Sequence, residues 1–82
     1  MHPTHPTHPV AEVRVFSHSA GLIDGVPVTA PPFVDIQEVV IAILQQRAQQ
    51  MGGPASATIS DDRFGGAIRL LIHPDGTTES AE

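Results

Sequence analysis

The clearest hydrophobic pattern in the chain runs from residue 36 to residue 51. Apolar residues recur there three and four positions apart, which predicts an amphipathic helix. Asp35 can cap its first turn, with Glu38 three positions later in an arrangement close to a capping box, and Gly52 follows where a left-handed C-terminal cap is expected. We therefore expect one long helix whose apolar face packs on a sheet.

The apolar arc of this helix is wide, at about 200°, whereas a core-facing helix needs a stripe of about 100°. Ile41 lies at the margin of the arc, and Arg47 falls inside it. We predict that Ile41, Arg47 and Ala48 belong to an interface with a partner. Two alternatives stay open: a loop around residues 30 to 33 covers Ile41 within the monomer, or Arg47 extends its charge to solvent instead of pairing across an interface.

Alternating apolar and polar residues predict strands on both sides of the helix. The alternation is clearest over residues 11–16, 55–60 and 68–73. The pattern predicts an α+β fold of two layers, in which one long helix packs on a mostly antiparallel sheet of about four strands in the order ββαββ.

Turn residues break up the segment between the first strand and the helix. We predict a turn at Gly21 and another at Asp24 and Gly25, so that the short apolar pieces around them form a meander. Pro27 has no backbone donor, which places its strand at a sheet edge.

The ends of the chain have a different composition from its middle. Residues 1–10 carry three His-Pro-Thr-like units and are predicted to be a disordered leader. Residues 11–77 form the single α+β domain, and residues 78–82 are predicted to be a frayed tail.

The composition of the chain limits which binding partners and which cellular location are expected. The chain has 82 residues, no Cys, four Lys plus Arg, nine Asp plus Glu and a net charge of -5. Too few cations are present to neutralise a phosphate backbone, so we expect no nucleic-acid partner. Without a disulfide the small core has little support, which favours self-association. Its apolar runs are too short for a membrane span, and we expect a cytoplasmic protein.

Residues that could take part in catalysis or metal binding are few and scattered. His2, His5 and His8 repeat every third position, which leaves a small-ligand or metal-binding leader as an alternative function. His18 has Ser neighbours and Asp24 nearby, but a turn explains these residues better than a hydrolase triad.

The acidic pair formed by Asp61 and Asp62 is interpreted as a solvated turn. We therefore predict no enzyme, no catalytic residue, no cofactor and no metal ligand. The predicted function is a non-catalytic module for protein–protein interaction or oligomerisation, with the chain itself and another protein as partners.

The order of these segments resembles a small accessory domain of actinobacterial proteins. The resemblance covers about residues 11 to 77, from the strand at Val13 through the turn at residues 24–28 and the Pro pair at residue 31 to the closing segment at residues 72–76. It implies an appendage fused to, or standing beside, ATPases of the chromosome-partitioning and type VII secretion kinds. It implies no catalytic residues.

Overall fold

The computed structural model describes residues 10–81 and contains one helix and one sheet of six strands. The elements in chain order are β1 (Ala11–Val15), β2 (Ala20–Ile23), β3 (Val26–Thr29), α1 (Ile36–Met51), β4 (Ala55–Asp61), β5 (Ala67–Ile72) and β6 (Thr78–Ser80). The predicted α+β class and the packing of one helix on a sheet are confirmed. The predicted count of about four strands is wrong, since six are present. The predicted leader lies outside the described residues, except for Val10.

The sheet is mixed, with the strand order β3-β2-β1-β4-β5-β6. β1 and β4 pair in parallel at its centre, and every other neighbouring pair is antiparallel. A parallel pair needs a long crossover connection, which β2, β3 and α1 supply together. The sequence pattern predicted a mostly antiparallel sheet but not this central parallel pair.

The core lies between α1 and the two central strands. Ile36, Val40, Leu44 and Ala48 form the buried stripe of the helix, each four residues from the next. Facing them are the inward side chains of β1 and β4, where buried residues alternate with less buried ones along both strands. The alternation predicted from the sequence for these strands is confirmed.

The ends of α1 are formed by the residues that the sequence predicts. Asp35 caps the first turn by accepting a hydrogen bond from the backbone N–H of Gln37. Gly52 takes a left-handed conformation with φ of 75° and donates its N–H to the carbonyl of Ala48. The predicted helix limits are therefore confirmed.

The meander before the helix is confirmed as the β2–β3 hairpin. Asp24 and Gly25 both have positive φ, as a two-residue hairpin turn with the twist of its strands requires. β3, which contains Pro27, is an edge strand, as the missing backbone donor predicts.

The turn predicted at Gly21 is instead part of β2. The backbone N–H groups of Phe16 and Ser17 both donate to the carbonyl of Ala20, which is the two-against-one pattern of a β-bulge. A Cβ at Gly21 would lie 2.6 Å from the carbonyl oxygen of Arg14, closer than real Cβ atoms approach. Glycine is needed there for close backbone approach rather than for a turn.

The segment predicted to be a frayed tail contains β6, which pairs with β5. A tight turn at Asp75 and Gly76 reverses the chain, and the backbone N–H of His73 donates to the carbonyl of Thr77. All three residues of β6 are exposed, so it shows no apolar alternation that the sequence analysis could detect. Backbone pairing, not side-chain burial, defines this strand.

Among the described residues no helix is long and apolar enough to cross a membrane.

Leu44→Ala tests the placement of the core. Leu44 is completely buried under the helix, so the substitution should lower the free energy of unfolding by about 2–5 kcal/mol through lost burial and a residual cavity. Gln46→Ala, on the exposed side of the same helix, is the control and should change it by no more than about 0.5 kcal/mol. Urea denaturation measures both, and equal losses in the two variants would contradict the assigned faces.

Candidate functional site

Ala48, one of the three predicted interface residues, lies in the core. Its exposed fraction is 0% and it completes the buried stripe of α1. A partner could not contact it while the fold is intact, so Ala48 is removed from the candidate interface. Its position four residues after Leu44 was the sequence signal for burial.

Arg47 pairs within the chain. Its Nη1 donates to Oδ2 of Asp24, 2.8 Å away at the β2–β3 turn, and both side chains are less than half exposed. Asp24 also accepts the backbone N–H of Glu12. That backbone hydrogen bond first, and Arg47 second, hold the pKa of Asp24 below its ordinary value. Arg47 therefore joins the helix to the β2–β3 hairpin, and its charge has a partner inside the molecule.

Ile41 lies half-buried at the surface of the helix, where it packs against the edge of the core. Its outer side lines a shallow, open and largely apolar depression of about 400 Å³. We call this depression the α1 hollow; its walls are Gln37, Glu38, Ile41, Ala42 and Gln45. The loop predicted as an alternative cover leaves Ile41 partly exposed. A role for Ile41 in an interface stays a prediction.

Hydrogen bonds hold the side chains at both ends of the hollow. At one end Gln37 donates to Asp61 at the end of β4, and further along Gln45 donates to the carbonyl of Pro74 beyond β5. All five residues that line the hollow belong to α1, so it is a depression in the surface of the helix. The helix-facing side of β5 is unevenly covered, since Ile72 is completely buried whereas Ile68 is 52% exposed.

A cluster of ion pairs joins the start of α1 to the end of β4 and the turn that follows it. The guanidinium of Arg63 donates from Nη2 to Oδ2 of Asp61 at 2.7 Å, from Nε to Oδ1 of Asp61 at 3.0 Å, and from Nη1 to Oδ1 of Asp35 at 2.9 Å. Gln37 donates to Asp61 at 2.9 Å. We call Asp35, Gln37, Asp61 and Arg63 the Arg63 clamp.

The interpretation of Asp61 as part of a solvated turn is wrong, since this side chain is only 8% exposed. Asp61 is the last residue of β4, and it falls on the helix-facing side that Ala55, Ala57 and Ile59 already occupy. Extending the alternation of β4 by one step would have identified it. Its neighbour Asp62 is exposed and lies 3.4 Å from Arg14 on the other face of the sheet.

The electrostatics of the clamp favour the ionised forms of all three charged groups. Hydrogen bonds from the Arg63 side chain are the main cause that lowers the pKa of Asp61 to about 2, against the opposing effect of burial. The same guanidinium, followed by the backbone N–H of Gln37, lowers the pKa of Asp35. The two carboxylates in turn raise the pKa of Arg63. The clamp is a charge-compensated joint between the start of α1 and the end of β4.

The arrangement of the other polar residues offers little chemistry. His18 precedes β2 and Asp24 follows it. The strand between them is roughly 13 Å long, so they do not form a catalytic pair. Within residues 10–81 no group of three His, Cys, Asp or Glu side chains could hold a metal ion. His2, His5 and His8, on which the metal-binding alternative depends, lie outside the described residues.

All three aromatic rings of the chain are exposed, a feature that the sequence analysis missed. Phe16 is 44% exposed, Phe64 is 77% exposed and Phe33 is fully exposed. Phe16 follows β1, Phe64 follows β4, and Phe33 precedes α1. Because β1 and β4 are parallel and α1 begins beside the end of β4, the three rings lie at the same end of the molecule. Two sequence signals for this exposure were available: Phe33 and Phe64 lie outside the periodic segments, and Phe16 falls on the polar side of the predicted first strand.

Two of the rings are held by arginine. The guanidinium carbon of Arg14 lies 5.4 Å from the centre of the Phe16 ring, and that of Arg63 lies 5.1 Å from the centre of the Phe64 ring. Both distances are within the range of cation–π attraction. The same two arginines form ion pairs with Asp62 and with the clamp carboxylates, so the rings are fixed next to compensated charges.

No family model, curated protein or solved structure matches this chain. The comparisons therefore add no relative to the resemblance with the actinobacterial accessory domain. That resemblance stays a prediction that depends on the residues quoted for it.

Because of the Arg63 clamp, we expect the free energy of unfolding to depend on pH in acidic solution. Because the pKa of Asp61 is about 2 in the folded chain and about 3.9 when unfolded, its contribution is fully present above about pH 4 to 5 and is lost as the pH falls toward 2. Asp61→Asn should therefore flatten the decline in free energy of unfolding over this interval. Urea denaturation at a series of pH values measures it. A variant whose stability declines as steeply as that of the parent would show that Asp61 is not the group responsible.

Proposed function

We propose that this chain is a non-catalytic protein–protein interaction module that acts by self-association or by docking on a larger protein. The observation that supports this proposal is the exposure of all three phenylalanines in a chain of 82 residues. Among residues 10–81 the buried apolar side chains are all Ala, Val, Ile or Leu.

Exposing three rings is costly for so small a domain. A buried aromatic side chain removes about 150–250 Å² from water, which is a large gain where the core is small. Aromatic residues are also enriched among the side chains that dominate binding energy at interfaces. A partner that covers the rings accounts for their position at the surface.

The charges beside the rings favour a protein as the partner. Arg14 and Arg63 are paired with Asp62 and with the clamp carboxylates, which leaves little free positive charge at this end of the molecule. A phosphate backbone would need such free charge. Rings next to compensated charges instead resemble the apolar centre and polar margin of a protein interface.

The identity of a larger partner is part of the proposal. The resemblance of residues 11 to 77 supports an ATPase of the chromosome-partitioning or type VII secretion kind. We also propose that the chain acts in the cytoplasm, as its lack of Cys favours.

Replacing the three rings tests the proposal. A Phe16→Ser, Phe33→Ser, Phe64→Ser variant should retain the circular dichroism of the parent because none of these rings belongs to the core. When the parent is immobilised and exposed to a lysate of its native cell, we expect specific proteins, including further copies of the chain, to be retained and then lost with the variant. Quantitative mass spectrometry measures the retained proteins.

A variant with Gln46→Ser and Gln50→Ser, two exposed positions on α1, is the matched control and should retain what the parent retains. Equal retention by the parent and the ring variant would contradict the proposal.

A further inference from the structure

We propose that the α1 hollow receives Phe33 of a second copy of this chain, so that two copies pair about a two-fold axis by reciprocal insertion. This inference rests on the proposed function of protein interaction and names the partner, the residue that inserts and the site that receives it.

The residues that line the hollow suit the binding of an apolar side chain. Ile41 and Ala42 give it apolar walls, and Gln37 and Gln45 stand at its ends with their side chains engaged by Asp61 and Pro74. Only Glu38 among its lining residues carries a charge. The centres of protein interfaces are depleted of charge in the same way.

Phe33 has the properties of an inserting residue. Its side chain is fully exposed, and its backbone has a φ of 71°, a conformation that bulky L-residues rarely adopt. Such backbone strain persists where the surrounding chain imposes it, and it is concentrated at functional positions. Here the strain presents an aromatic ring to solvent without a gain in burial for the free monomer.

The two features belong to one chain and are close in sequence. Phe33 precedes the first lining residue, Gln37, by four positions, with the cap residue Asp35 between them. A two-fold interface uses one patch twice, so the patch must carry both the inserting and the receiving feature. A projection and an unfilled hollow beside the same helix terminus satisfy that requirement.

The area involved indicates a weak dimer. Two inserted rings, at about 150–250 Å² each, and the hollows that receive them provide about a quarter to a half of the roughly 1,200–2,000 Å² that a stable interface buries. Phe64, in the turn after β4, and Ile68, on β5, are also exposed and would supply further apolar area. We therefore expect a concentration-dependent dimer rather than an obligate one.

The salt dependence of dimerisation distinguishes this pairing from binding that depends on charge attraction. Each copy carries a net charge of -5, so two copies repel each other at long range, while the hollow itself is almost uncharged. Added salt screens this repulsion and should tighten the dimer. A partner held by attraction to the acidic chain would bind more weakly in salt.

Sedimentation equilibrium of the full chain tests the inference. The parent should self-associate, and Phe33→Ala should raise the dimer dissociation constant by roughly tenfold or more. Ala42→Glu, which introduces a charge into the hollow from an exposed position, should have a similar effect. Gln50→Ala is the control, because residue 50 is exposed at the end of the helix far from Phe33, and it should leave the dimer unchanged.

Cross-linking locates the contact. Because the chain contains no Cys, Pro32→Cys and Ala42→Cys can be introduced separately without background. When the two variants are mixed with a short bis-maleimide, the heterodimer should form faster than with Gln50→Cys in place of Ala42→Cys, since residue 50 lies at the far end of the helix.

A dimer that persists in both Phe33→Ala and Ala42→Glu would overturn the proposed contact, and so would a parent that stays monomeric at all concentrations. Neither result would decide the proposed function, which the ring variant tests independently by its retention of other proteins.

Discussion

One helix has to cover one face of a six-stranded sheet, and the rest of the structure follows from this constraint. Six strands span about 24 Å, whereas a helix with its side chains is about 10–12 Å wide. α1 therefore covers the central strands completely and the outer strands only in part. Gln45 and Gln49 tie the second half of the helix to the turn after β5, where Ile72 is buried, whereas Ile68 further along the same strand is exposed. Ile68 thus belongs to the part of the sheet that the helix leaves uncovered.

The ion pairs at the two ends of the helix hold it in position on the sheet. At its start the Arg63 clamp joins Asp35 to Asp61, and near its end Arg47 pairs with Asp24 at the β2–β3 turn. Hydrogen bonds from Gln45 and Gln49 to the carbonyl of Pro74 fix the opposite flank. The polar residues of the helix flanks thus orient it, while its apolar stripe supplies the burial.

The same geometry concentrates the exposed aromatic residues. The parallel pairing of β1 and β4 brings the ends of both strands to one side of the molecule, where α1 also begins. The turns that carry Phe16, Phe33 and Phe64 therefore lie at this end of the molecule, and two of the rings stack on arginines whose charges are already paired. This end of the molecule combines a rigid polar support with uncovered apolar surface, which is the physical basis of the interaction proposed for it.

The sequence by itself determined the parts of the structure that depend on local signals. The limits of α1, its caps, the inward residues of β1 and β4 and the turn at Asp24 follow from periodicity and from the conformational preferences of Asp and Gly. Only the tertiary structure decided what depends on pairing between distant segments. The parallel register of β1 with β4 and the existence of β6 belong to this class. The burial of Asp61 and of Ala48 instead follows from the spacing of the buried residues before them, which the sequence already shows. Strand pairing is made by backbone groups that every residue carries, so side-chain patterns do not specify which strands become neighbours or which part of the sheet one helix leaves open.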